Sequence, residues 1–167
     1  VAELNDGRVL MVFRITINKG QSAHKWFSVS NDAGLTFSEP QIFGYSSGAH
    51  FFSGSNFHRL YRNSKTQKLY WIGNIVAEKP TNAGHPRYPL VIAEVDEQKL
   101  AIKQETVTEI DSRQAGESER LQLSNFWIIE NQKTHDLEVY LTRLGEDPDE
   151  TFHANAYKYT LTFKNMS

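Results

Sequence analysis

Hydrophobic and polar residues alternate in short runs along most of the chain, which is the pattern of strands with one buried face. Ten runs are rich in β-branched and aromatic residues and are bounded by Gly, Asn, Asp or Pro. They cover residues 8–15, 25–30, 39–44, 57–63, 68–75, 88–95, 105–110, 121–130, 137–143 and 155–163. Only the stretch 96–105, DEQKLAIKQE, has a helix-like pattern, and it is short and uncapped. The sequence therefore predicts an all-β protein.

An internal repeat organises these strands. NFHRLYRNSKTQKLYWIGN begins at Asn56 and NFWIIENQKTHDLEVYLTR at Asn125, and both contain a strand, a Lys-Thr turn and a second strand. DGRVLMVFR, near the start of the chain, fits the second half of the same unit. This recurrence predicts radially repeated antiparallel sheets of about four strands each, which are the blades of a β-propeller.

The repeat divides the single domain 1–167 into segments 1–44, 55–111 and 120–167. The first segment has strands two to four of a blade, the second has all four, and the third has strands one to three. We therefore expect a partial propeller of about two and a half blades, in which neither chain end coincides with a blade boundary.

Composition and charge exclude several classes of function. The chain has 18 basic and 20 acidic residues, a net charge of -2, so no basic surplus favours nucleic acid or an anionic membrane as a partner. Its apolar runs are too short to span a bilayer. It has no Cys, which excludes disulfides, Cys-bound zinc and thiol catalysis. Its six His lack the i, i+4 pairing of a zinc helix, so neither metal nor cofactor is predicted.

The stretch SVSNDAGLTF, from Ser28 to Phe37, is a densely specified turn, because Asx side chains cap nearby amides and Gly accepts positive φ. It resembles the Asp box of sialidase-like β-propellers, Ser-x-Asp-x-Gly-x-Thr-Trp. The matching residues are Ser30, Asp32, Gly34, Thr36 and Phe37, with Phe in place of Trp. The resemblance implies a structural turn between the third and fourth strands of a blade, on the side away from substrate. It also implies a six-bladed ring, whose remaining blades would be partners outside this chain.

The resemblance further implies a carbohydrate-active enzyme, an exo-glycosidase acting on an acidic sugar, and slightly favours a secreted or periplasmic protein. In sialidases an arginine triad binds the sugar carboxylate, a Tyr paired with a Glu is the nucleophile, and an Asp is the acid/base. That Asp would belong to an early blade outside this chain. The alternative is a non-catalytic propeller that binds a glycan or a protein, because this fold supports both.

Unequal connections indicate which end of the sheets carries a site. The turns 31–36, 64–67, 96–99 and 132–135 are short, whereas the connections 16–24, 45–56, 76–87, 111–120 and 144–154 are long. Because neighbouring strands alternate in direction, the long connections should emerge at one common end. Long connections are commonly kept where binding occurs.

Polar residues at that end are the candidate site. Arg14, His58, Asn74, Arg87, Asn125 and Arg143 are predicted to bind substrate, and Tyr88 is the candidate nucleophile. An Arg suits a carboxylate because its planar fork donates two parallel hydrogen bonds. We expect Arg14, Asn74, Arg87, Tyr88 and Arg143 to converge. Two alternatives remain open: an Arg at a strand end can be a salt-bridge partner, and Tyr88 can fill the space between blades.

Overall fold

The computed structural model describes residues 1–15, 23–80, 84–150 and 152–163. Within these ranges the chain forms twelve β-strands and one short 3-10 helix, and the prediction of an all-β protein is confirmed. No helix in this part of the chain has the length and apolar character needed to cross a membrane.

The strands form three antiparallel sheets in chain order. The first contains β1 (Ala2–Glu3), β2 (Val9–Arg14), β3 (Lys25–Ser30) and β4 (Gln41–Phe43). The second contains β5 (Arg59–Arg62), β6 (Leu69–Asn74), β7 (Leu90–Asp96) and β8 (Ala101–Ile102), and β9 (Thr108–Asp111) also pairs with β7. The third contains β10 (Phe126–Glu130), β11 (Leu137–Thr142) and β12 (Ala156–Leu161). The 3-10 helix, Gln104–Thr106, lies between β8 and β9.

Each of the ten predicted runs overlaps one of these strands, and the two remaining strands, β1 and β8, are very short. The first sheet has a strand that the prediction left out, since Ala2 and Glu3 pair with Leu10 and Val9. In the stretch 96–105 a two-residue strand pairs with β7 and precedes the 3-10 helix, so this stretch is not an α-helix. Strands of two residues are too short to show an alternation, and their pairing is set by the neighbouring strand.

The two halves of the internal repeat form hairpins with the same turn. In each, an Asn side-chain oxygen accepts hydrogen bonds from the amides two and three residues later. These amides belong to Lys65 and Thr66 after Asn63 (3.2 and 2.8 Å), and to Lys133 and Thr134 after Asn131 (3.0 and 3.3 Å). A positive φ closes both turns, 59° at Gln67 and 61° at His135.

The three sheets stack face to face, with the second between the other two. One core cluster joins the first sheet to the second and contains Trp71, while another joins the second to the third and contains Ile72. These neighbours on β6 are both fully buried, because successive side chains of a strand point to opposite faces. The first and third sheets share no core cluster among the described residues, so the stack is open.

Strand direction places several strand ends together at one end of the stack. There, Arg14 at the end of β2 pairs with Lys25 at the start of β3, and Asn74 at the end of β6 pairs with Leu90. The tight turns lie at the opposite end. We call the first end the long-connection end and the second the tight-turn end. Parts of three predicted long connections, namely 16–22, 81–83 and 151, lie outside the described residues.

Candidate functional site

Two cations of the first sheet lie side by side at the long-connection end. Arg14 is exposed, and its Nη1 donates to the carbonyl oxygen of Ser55 (3.2 Å). Lys25 has no exposed surface, and its Nζ donates to the carbonyl oxygens of Gly54 (2.8 Å) and Asn56 (2.7 Å) and to Asn56 Oδ1 (3.1 Å). Neither side chain has a carboxylate partner among the described residues. Their charges are therefore met only by neutral oxygens.

Arg87 brings a third cation from the second sheet. Its Nε donates to the carbonyl oxygen of Gly84 (2.6 Å), and its Nη1 donates to Gln122 Oε1 (2.7 Å) and Ser124 Oγ (3.3 Å). These partners are again uncharged. The contacts to 122 and 124 tie the start of β7 to the chain segment that precedes β10.

The charge of Arg14 acts on both of the other cations, and Arg14 is also the cross-strand partner of Lys25. Burial and then the charge of Arg14 lower the pKa of Lys25 to about 7. The same two causes lower the pKa of Arg87. We call Arg14, Lys25 and Arg87 the cation cluster. Cations without a counter-charge attract anions, and an Arg fork is well shaped for a carboxylate.

His58 lies next to the cation cluster, because it lines a cavity with Arg14 and the charge of Lys25 acts on it. Its Nε2 lies 3.0 Å from the carbonyl oxygen of Val12, and its ring stacks on Trp71 with ring centroids 6.2 Å apart. Burial, followed by the charge of Lys25, lowers the pKa of His58 to about 4, so its ring is neutral at neutral pH. A cavity of about 380 Å³ between β2 and β5 is lined by both Arg14 and His58, and a volume of this size suits a small ligand.

Asn74 is fully buried at the same end of the stack. Its Nδ2 donates to the carbonyl oxygens of Arg87 and Pro89 (both 3.0 Å), and its own carbonyl oxygen accepts from Ser53 Oγ (2.7 Å). These contacts hold the backbone on either side of Tyr88. Asn74 therefore positions the start of β7, while its Oδ1 has no partner among the described residues.

Among the described residues, neither Tyr88 nor Asn125 is found to hydrogen-bond to the side chains of the cation cluster. Tyr88 is half-buried and packs against the core between the second and third sheets, and no hydrogen bond to a carboxylate is found for its hydroxyl among the described residues. That position agrees with the space-filling alternative. Asn125 is exposed at the start of β10 and lines an apolar groove with Trp127 and Tyr140.

Arg143 lies in an ion-pair network of its own. It is 5% exposed, and its guanidinium contacts the carboxylates of Asp111, Glu117 (2.5 Å) and Glu146 (3.3 Å). Asp111 also accepts a hydrogen bond from the hydroxyl of Tyr159 (2.5 Å). The salt-bridge alternative therefore describes Arg143, whose donors are engaged by the protein, and we leave it out of the proposed site. Two of its acidic partners, Asp111 and Glu117, lie 32 and 26 residues earlier in the sequence, while Glu146 lies three residues after it.

A Tyr–Glu pair exists at the tight-turn end, and the sequence reasoning missed it. Tyr61 donates to Glu130 Oε2 (2.7 Å), and Glu130 also accepts from the amide and hydroxyl of Ser64. Burial and this hydrogen bond raise the pKa of Tyr61. Burial raises the pKa of Glu130, but hydrogen bonds from Ser64 and Tyr61 outweigh it and keep that pKa below its ordinary value. This Tyr–Glu hydrogen bond links the second and third sheets at the end opposite the cation cluster.

The turn at 30–37 uses its polar groups internally. Asp32 Oδ1 accepts from Ser30 Oγ (2.7 Å) and the Thr36 amide (2.9 Å), and Oδ2 accepts from Thr36 Oγ1 (2.6 Å). Ser30 Oγ also accepts from the amide of Gly34 (2.8 Å), whose φ is 89°. The hydrogen bonds from Thr36, then that from Ser30, lower the pKa of Asp32 to about 2. The turn joins β3 to β4 at the tight-turn end, away from the cation cluster.

The described residues contain no group of three or more His, Asp or Glu side chains that could hold a metal ion.

No family model matches the sequence. No curated protein matches it either. Among solved structures, the chain is similar to a protein of unknown function from Dyadobacter fermentans, with a TM-score of 0.52 and 13% sequence identity. The alignment covers 96% of this chain and 36% of that one, and at this identity it indicates a shared fold alone.

Proposed function

We propose that the chain is part of a sialidase-like β-propeller whose long-connection end binds an acidic carbohydrate. The architectural half of this proposal is supported by three antiparallel sheets that follow one another in chain order and stack face to face. The turn at 30–37 adds support, because it has the residues of an Asp box and joins the third and fourth strands of its sheet.

The uncovered face of the third sheet favours further blades. Trp127, Ile129 and Tyr140 are 59%, 49% and 37% exposed there, whereas both faces of the second sheet are covered. An apolar face of this kind marks an interaction surface. We propose that another antiparallel sheet of the same protein packs on it, as the third sheet packs on the second.

The cation cluster carries the functional half of the proposal. Arg14, Lys25 and Arg87 have only neutral oxygen partners within the described ranges, and Arg14 also lines a cavity of about 380 Å³. A carboxylated sugar supplies the missing negative charge and also offers hydroxyls to the neighbouring carbonyl oxygens. A neutral sugar supplies only the second of these.

Recognition is better supported than catalysis. The described residues place no Glu on the hydroxyl of Tyr88, and the Tyr61–Glu130 pair lies at the opposite end of the sheets. We therefore propose binding of the sugar carboxylate as the role of this chain. A sialidase-like exo-glycosidase would need its nucleophile and acid/base from groups outside this constellation, whereas a glycan-binding module would need neither.

A substitution series tests the proposal. Arg14→Met and Arg87→Met should each weaken binding of a sialylated oligosaccharide about tenfold or more, because a charge-assisted hydrogen bond contributes roughly 1.5 to 3 kcal/mol. Binding of the desialylated oligosaccharide should change little. Lys133→Met is the matched control, since it removes one exposed cation at the tight-turn end. Equal losses for both oligosaccharides, or no binding by the unmodified protein, would refute the site. Release of sialic acid from a fluorogenic sialoside separates an enzyme from a binding module.

A further inference from the structure

Lys25 is a buried cation whose hydrogen-bond partners are all neutral oxygens. It is fully buried, and a buried ammonium ordinarily requires a counter-charge. Its three hydrogen bonds instead go to oxygens of a single short segment, the carbonyls of Gly54 and Asn56 and the side chain of Asn56. The ammonium occupies the centre of an oxygen-lined shell, much as a bound cation would.

The neighbouring cation completes this arrangement. Arg14 is the cross-strand partner of Lys25 and donates to the carbonyl of Ser55, which lies between the two carbonyls bound by Lys25. Three successive carbonyl oxygens, at 54, 55 and 56, therefore all accept from these two side chains. The segment leads directly to His58 and β5. The conformation of the segment 54–56 therefore affects the distance between the guanidinium of Arg14, which binds Ser55, and the ring of His58.

We propose that Lys25 is a positioning residue of the anion site: its ammonium group fixes the segment 54–56, and through that segment it sets the guanidinium of Arg14 for a bound carboxylate. This inference rests on the anion site proposed above. Lys25 itself is enclosed and does not touch the ligand. Its effect on binding is exerted through the segment and through its charge.

Protonation of Lys25 gives this role a pH signature. Among the described residues, the charge of Arg14 on β2 acts on Lys25, and Lys25 in turn acts on His58 before β5. The terminal amine of Val1 also acts on His58, and Val1 lines the same cavity as Arg14 and His58. Burial and the charge of Arg14 lower the pKa of Lys25 to about 7, while burial and the charge of Lys25 lower that of His58 to about 4. As the pH rises through about 7, Lys25 therefore loses its charge and one of its three donors. Anion affinity should fall over the same range.

The test is the dissociation constant of N-acetylneuraminate between pH 6 and 8.5, a range in which its carboxylate stays ionised. The unmodified protein should bind less tightly as the pH rises, with a midpoint near 7. Lys25→Met should bind about tenfold more weakly at pH 6 and show no such transition. Lys133→Met should retain both the affinity and the transition.

A second variant keeps Lys25 and is expected to raise its pKa. Asn56→Asp places a carboxylate at the side-chain oxygen that accepts from Nζ at 3.1 Å, which favours the charged amine. The midpoint should therefore move to higher pH. This variant decides the matter if Lys25→Met does not fold, and an unmoved midpoint overturns the positioning role.

The remaining outcomes separate this inference from the proposed function. If Lys25→Met binds as the unmodified protein does, with the same pH profile, the positioning role is overturned and the anion site stands. If the unmodified protein binds no N-acetylneuraminate, the anion site fails. Amide hydrogen exchange over residues 54–58 then still tests Lys25: faster exchange in Lys25→Met supports its hold on the segment, and unchanged exchange overturns it.

Discussion

Replacing Arg143 with methionine should destabilise the fold and leave acidic-sugar binding intact. Methionine keeps most of the apolar stem and removes the guanidinium. The side chain of Arg143 is 6% exposed, and those of its partners Asp111, Glu117 and Glu146 are 10%, 19% and 14% exposed. The substitution therefore leaves three nearly enclosed carboxylates facing one another without a counter-charge.

The expected cost follows from this enclosure. Removing one partner of a buried ion pair costs about 3 to 5 kcal/mol, mostly because the other partner stays buried and unpaired. The three carboxylates that contact Arg143 are partly exposed to water, so we expect a cost at the lower end of this range, about 3 kcal/mol. For a domain of this length each kcal/mol lowers Tm by roughly 2 to 4 °C, which gives a fall of about 6 to 12 °C.

Urea denaturation followed by circular dichroism measures the loss directly. Arg143→Lys keeps the charge and loses the planar fork, so it should lie between the methionine variant and the unmodified protein. Arg120→Met, an exposed arginine in the connection before β10, is the control and should change the unfolding free energy by less than about 0.5 kcal/mol. An Arg143→Met protein of unchanged stability that had lost only sialylated ligand would overturn the reasoning and return Arg143 to the binding site.

Three further substitutions test the packing and the turns. Asp32→Ala should lower Tm without changing sugar affinity. Hydrogen bonds from Thr36 depress the pKa of Asp32 to about 2. The stabilisation that ionised Asp32 gives the fold is therefore complete above the ordinary Asp pKa of about 3.9 and is lost as pH falls through about 2. An unchanged Tm would contradict this. Gly73→Ala places a Cβ 2.5 Å from the Trp71 ring and should cost about 1 to 3 kcal/mol in urea denaturation, a loss that Trp71→Phe should partly relieve. Tyr61→Phe should cost about 1 kcal/mol and retain full sugar binding, and a selective loss of binding would show that the tight-turn end takes part.

The strands were predictable because their signals are local. Alternation over four or more residues, with Asn or Gly at the turns, locates every strand of that length, and the repeated Asn turns at 63 and 131 follow from the same residues. β1 and β8 are two residues long and depend on pairing with a longer strand. Their existence is therefore decided by the tertiary structure and not by their own sequence.

The candidate site was predictable only in part. Arg14 and Arg87 could be found because strand direction places them at one end of the sheets. Lys25 looks like an ordinary polar residue at the start of a strand, and its burial arises from a segment about thirty residues later. Arg143 occupies an equivalent strand end, but two of its three carboxylates, Asp111 and Glu117, lie 32 and 26 residues earlier, and the sequence does not show that they pack against it.

The contrast between these arginines explains why we place the ligand at the cation cluster. Two enclosed arginines elsewhere have carboxylate partners: Arg143 has three, and Arg62 has Glu97 at 2.8 Å. At the cation cluster the described residues supply Lys25, Arg14 and Arg87 only with neutral oxygens. Such oxygens satisfy the N–H donors and leave the charge uncompensated. A bound carboxylate would supply the cation cluster with the negative charge that Asp111, Glu117 and Glu146 supply to Arg143.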